Sequence, residues 1–168
     1  MEALLAEFTR TITTMNQIMD ELAELGQQKQ QLIIKGLVKE LDSLLRQEGT
    51  IVFNLEQIEA ARFVLQKQIS EKWGIKAEEL TTREILSRAE KEYPSCYHDL
   101  KNAINHLDYN LTRIKAINNH NQELIEQSLD YIKTVEALLK GDIPGTYSSQ
   151  GVQNDETKYL KNLLDKKV

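Results

Sequence analysis

The chain has 168 residues with only two prolines and seven glycines, and aromatic residues make up just 6%; so few turn formers and rings favour one domain of long helices with aliphatic seams over an α/β core. A net charge of −5 at pH 7 with no basic run argues against nucleic acid as a partner, because nothing would supply the phosphate attraction such binding needs. Cys96 stands alone, which excludes an intramolecular disulfide and a metal site built on paired cysteines, and suits a reducing cytosol.

Residues 1–10 carry Glu2 and Glu7 where a secretory signal would need a basic and then an apolar stretch. No apolar run approaches the ~20 residues of a membrane span. A cytoplasmic protein that does not enter membranes is therefore expected.

The first predicted element places Leu4, Phe8, Thr11, Met15, Ile18, Leu22, Leu25, Lys29 and Leu32 at alternating spacings of four and three. That repeat is one stripe of a helix with the character of a coiled-coil seam, since a strand would alternate with period two. Gly36 is the expected bend, because no side chain opposes a positive φ there. From Leu37 the repeat resumes through Leu41, Leu44, Glu48, Ile51, Leu55, Ile58, Arg62, Leu65 and Ile69. This predicts a second long helix, weakened near Gly49 and the β-branched residues after it, where a kink is expected.

Gly74 after Trp73 reads as a left-handed helix stop, with Ile75 folding back on the last turn. Thr81 and Glu84 form a capping box, and Leu80 with Ile85 a hydrophobic staple, so a short helix should begin near Thr82 and end near Tyr93-Pro94. The longest pattern follows: Leu100, Ile104, Leu107, Leu111, Ile114, Asn118, Asn121, Ile125, Ser128, Ile132, Val135 and Leu139, ended by Gly141 and Pro144. Short connections between long helices favour antiparallel neighbours. The expected fold is all-α: an antiparallel bundle of three long helices with coiled-coil-like packing, a short helix, and a mobile C-terminal tail. The bundle is assigned to residues 1–140 and the tail to 141–168. In the tail, Tyr159, Leu160, Leu163 and Leu164 share one face of a short helix that would form only when docked.

Chemistry-bearing constellations are scarce. His98, His106 and His120 lack the spacing of a zinc site on one helix face, and the carboxylate pairs Glu78-Glu79 and Glu90 with Glu92 sit in polar stretches with nothing to tune them. No glycine-rich phosphate loop or nucleophile turn occurs, so neither catalysis nor a cofactor is expected. The string His98-Asp99-Leu100-Lys101-Asn102 resembles the phosphorylatable segment of histidine phosphotransfer domains, although Asn102 stands where Gly or Ser is usual. The polar break Asn118-Asn119-His120-Asn121 interrupts the longest seam. A buried Asn there either fixes register at some cost in stability or marks where the packing opens to receive a partner.

Residues 118–132, Asn-Asn-His-Asn-Gln-Glu-Leu-Ile-Glu-Gln-Ser-Leu-Asp-Tyr-Ile, followed by Thr146-Tyr147-Ser148-Ser149-Gln150-Gly151, resemble the FlgN family of flagellar export chaperones. Leu32-Ile33-Ile34-Lys35-Gly36 ahead of Leu41 and Leu44 is similar to that family's first helix turn, and residues 55–62 to its second helix; Leu37 departs from it, since an acidic residue often follows that glycine. The resemblance implies a cytoplasmic chaperone that holds hook-associated proteins of the hook-filament junction before secretion, and releases them at the flagellar export apparatus. The client's C-terminal amphipathic segment is expected on the last long helix, at Asn121, Leu124, Ile125, Leu129, Tyr131, Ile132, Leu138 and Leu139, whose apolar members cover more than one stripe. By the same resemblance Tyr147, Tyr159, Leu160, Leu163 and Leu164 are expected either to contact the export platform or to fold back over the empty groove. The competing expectations are a phosphotransfer domain and a self-associating coiled coil, since seams left unpaired invite a homodimer.

Overall fold

A computed structural model describes residues 1–76 and 78–140, and the tail segment from residue 141, with Tyr147, Tyr159, Leu160, Leu163 and Leu164, lies outside the described residues. The domain boundary expected after Lys140 falls at the edge of that description. Packing separates a first unit, Met1–Leu124, from a second, Ile125–Val168. The described residues form four helices, α1 (Glu2–Ile34), α2 (Val38–Trp73), α3 (Thr82–Glu92) and α4 (Pro94–Lys140).

In the first unit α1 is the central helix because it carries two apolar lines. Leu4, Phe8, Met15, Leu22 and Leu25 of the predicted stripe are buried, and so are Leu5, Ile12, Met19 and Ala23 beside them. Gly36 turns the chain at φ +65°, and the Leu37 amide donates to the Leu32 carbonyl at 3.0 Å. That pairing closes the helix end as a left-handed glycine cap does.

The return helix α2 is unbroken through Gly49. It packs with the predicted stripe inward: Leu44, Leu65 and Ile69 are buried, Leu41, Ile51, Leu55 and Ile58 half-buried, and only Leu37, just ahead of the helix, is exposed. The polar members of the two stripes answer each other, because Lys29 Nζ lies 2.7 Å from both carboxylate oxygens of Glu48. With side chains only 13% and 17% exposed, this pair is largely withdrawn from water. Glu48→Ala should therefore destabilise the bundle by about 1–3 kcal/mol, since the Lys29 charge loses its partner, whereas Lys29→Met with Glu48→Leu should restore most of the loss. Thermal denaturation of the three proteins checks this.

The connection to α3 follows the local signals. Gly74 adopts φ +65° and the Ile75 amide reaches the Ser70 carbonyl; Thr81 Oγ1 accepts from the Glu84 amide at 3.2 Å, with Leu80 and Ile85 both buried. Arg88 lies over the Trp73 ring, 5.4 Å from its centroid. Pro94 opens α4 at the first helical position, where its missing N–H costs nothing, so this helix starts a turn and a half ahead of its first seam residue, Leu100.

One cluster joins Leu4, Leu5 and Phe8 of α1 to Leu65 and Ile69 of α2, Ile85 and Ala89 of α3, and Leu100 and Ile104 of α4. The end of α2 and the start of α4 thus meet the start of α1. Sequence neighbours among the long helices are antiparallel, and α1 and α4 consequently run parallel, as the pairings of Glu2 with Ser95, Asp20 with Arg113 and Gly26 with Asn121 also require.

Candidate docking site on the last helix

The α1–α4 seam determines what α4 has left to offer. Its line toward α1 is Leu100, Ala103, Leu107, Asn110, Ile114, Ile117 and Asn121, each buried or half-buried. This differs in phase from the expected line: Asn110 is fully buried, while Leu111 is 53% exposed. The cause is a set of side chains that bond across to backbone. Asn16 Nδ2 donates to the Ala103 carbonyl at 2.8 Å, Asn110 Nδ2 to the Asn16 carbonyl at 3.3 Å, and Asn121 Nδ2 to the Gly26 carbonyl at 2.8 Å. Such bonds need close helices, and Gly26 provides the room: a Cβ there would sit 2.6 Å from Ile117 Cγ2.

Asn121 is thus turned into the seam, only 3% exposed, which suits register fixing. Asn118, Asn119 and His120 face solvent. Asn121→Ala should lower stability by about 1–2 kcal/mol, a lost hydrogen bond plus a small void, and leave client affinity unchanged. Denaturant melts and peptide titration of the same variant separate the two effects.

From Ile125 to Lys140 no residue is buried. Ile125, Leu129, Ile132 and Leu139 follow one another at spacings of four, three and seven, and Leu124, Tyr131, Val135 and Leu138 at seven, four and three. These are two adjacent helical stripes covering about half the circumference at 100° per residue. Exposure is 40% at Ile125, 50% at Leu129, 71% at Tyr131, 52% at Ile132 and 63% at Leu139; Leu124 is half-buried. A helix this apolar over so wide an arc has more surface to cover than the described residues cover.

Elsewhere in the first unit a crevice of about 680 Å³ opens between α1, α2, α4 and the start of α3, lined by Met15, Met19, Leu55, Ile85 and Leu107 among others. At its edge Arg62 bonds the Glu59 carboxylate at 2.6 and 2.7 Å and Gln66 Oε1 at 2.7 Å. The Glu59 hydrogen bonds, opposed in part by burial, raise the pKa of the guanidinium, which stays a fixed cation. The crevice's apolar lining can take apolar side chains, with Glu59, Arg62, Gln66 and Asp108 among its polar part.

The remaining chemistry-bearing residues are dispersed. His98 is exposed, and Lys101 one turn on bonds the Tyr97 hydroxyl at 3.2 Å while lying over its ring. Among the described residues no three His, Cys, Asp or Glu gather as metal ligands, and no helix is long and apolar enough to cross a membrane. Sequence reasoning passed over Asn16, Asn110 and Gly26, since a seam with three asparagines reads as polar. It also passed over an exposed line on α2 through Val38, Leu45, Val52, Phe53, Phe63 and Val64, whose spacings of seven and eleven lay beside a stronger stripe.

One protein-family model matches the chain, described as FlgN protein, and it spans residues 1–155. No curated protein and no solved structure matches.

Proposed function

The chain belongs to the FlgN family of flagellar export chaperones, and we propose that it holds the C-terminal helical segments of hook-associated proteins in the cytoplasm and delivers them to the export apparatus. The observation that supports this reading is the largely exposed double stripe from Ile125 to Leu139. A client segment whose apolar face will be covered only after assembly needs that face shielded before export, and a helix with an exposed apolar arc provides the shield by helix-on-helix packing.

The process is association and dissociation, without bond making, so no catalytic group is required. Each Leu or Ile that the client covers contributes about 1.5–3 kcal/mol if it passes from full exposure to full burial. The docking residues start half-exposed, so each yields roughly half of that. Their four-residue stripe together with the client's own apolar face then supports micromolar binding after ordering costs. A disordered client that folds on the stripe should bind with a negative heat-capacity change. Calorimetry with peptides from the C-terminal segments of hook-associated proteins tests the assignment: saturable one-site binding with negative heat-capacity change is expected, and equal binding of a scrambled peptide would contradict it.

A further inference from the structure

The face of α2 turned away from α1 is apolar over five turns, from Leu45 to Val64. Leu45, Val52, Phe53, Phe63 and Val64 are between 40% and 59% exposed, and the small residues among them, Gly49, Thr50, Ala60 and Ala61, are exposed too. A Cβ at Gly49 would meet nothing within 4 Å. A strip of this length, apolar except at Glu56 and Gln57 in its middle, exceeds the scattered apolar exposure of an ordinary surface and marks an interaction site.

The order of large and small residues identifies the occupant. Residues 49–53 read Gly-Thr-Ile-Val-Phe and residues 60–64 read Ala-Ala-Arg-Phe-Val. When two copies of α2 are laid antiparallel about a twofold axis between Glu56 and Gln57, Phe53 comes opposite Ala60 of the second copy and Val64 opposite Gly49. Every small residue on the central line then faces a large one, and Val52 flanks Phe63 of the second copy. Glu56 lies beside the axis on one flank of the seam, next to Glu56 of the second copy, and Gln57 lies next to Gln57 on the other flank; the Glu56 pair is the like-charged contact of this register, and salt should strengthen the dimer accordingly. A twofold interface must complement itself in this manner, whereas a foreign segment would place no such demand on α2.

We propose that this face of α2 is the dimer interface of the protein, with a second copy of the chain as its occupant. The site is separate from the stripe on α4, and the inference does not depend on the client assignment. The test is sedimentation of the full chain over a wide concentration range, with far-UV circular dichroism as the folding control. The wild type should pass from monomer to dimer. Ala60→Phe should lose the dimer by setting Phe against Phe53 while keeping its helicity, because Ala60 touches solvent. Phe53→Ala with Ala60→Phe, which exchanges large and small across the axis, should regain it. A wild type that stays monomeric throughout, a dimer indifferent to Ala60→Phe, or a double variant no better than the single would each overturn the proposal. A monomeric wild type whose client binding fails on Ala60→Phe would instead assign the strip to the client.

Discussion

Leu129→Asp combined with Ile132→Asp is expected to abolish client binding while leaving the helical fold intact. The two side chains are half-exposed, at 50% and 52%, and lie three residues apart on one stripe, so a docked helix would cover both at once. Each substitution removes the transfer free energy of an aliphatic side chain and adds a carboxylate that must be desolvated on docking. Together they should weaken binding by at least about 3–5 kcal/mol, more than a hundredfold in Kd. Neither side chain belongs to the buried cluster, so thermal stability should change by less than about 1 kcal/mol. Calorimetry with the client peptide and a thermal melt check both halves, and unchanged affinity would remove this stripe from the docking site.

The converse is expected of Ile69→Ala. Ile69 is fully buried in the cluster that joins α1, α2, α3 and α4, where removing its branches leaves a cavity between helices held by several other contacts. The expected loss is about 2–5 kcal/mol, a fall in Tm on the order of 10 °C for a chain of this size. Client affinity, measured well below the lowered Tm, should stay within a factor of about three, because the docking stripe lies far along the chain. Differential scanning calorimetry and peptide titration at one temperature give the comparison. The two variants together separate stability from function: one loses binding and keeps the fold, the other weakens the fold and keeps binding.

Most local signals were legible in the sequence, although Glu84 pairs with Arg88 instead of closing the Thr81 capping box and α2 runs unbroken through Gly49. The positive-φ glycines Gly36 and Gly74, the Thr81 cap and the inward stripe of α2 depend on a few neighbouring residues, so their chemistry can be read without knowing the partner helix. Even Lys29 and Glu48, which read as flaws in two stripes, pair with each other once the helices meet. The phase of α4 was not legible, since burying Asn110 in preference to Leu111 becomes favourable only when Asn16 and the small residues Ala103 and Gly26 bring the α1 backbone within hydrogen-bond reach. The same long-range approach turns Asn121 into the seam. The surplus on α4 could be read from its breadth alone, because two stripes on one helix exceed what one neighbour covers. The strip on α2 was hidden for the opposite reason: its stronger inward stripe accounted for the helix and left the outward residues unread.

Hydrogen exchange of the free protein and of its complex with a hook-associated client segment tests most directly whether the apolar surface of the last helix is kept for a client. The free chain should exchange faster over residues 125–140, where no side chain is buried, than in the cluster around Leu5 and Leu100, and binding should slow that stretch selectively. Protection confined to other residues, with 125–140 exchanging as fast in the complex as alone, would contradict the account.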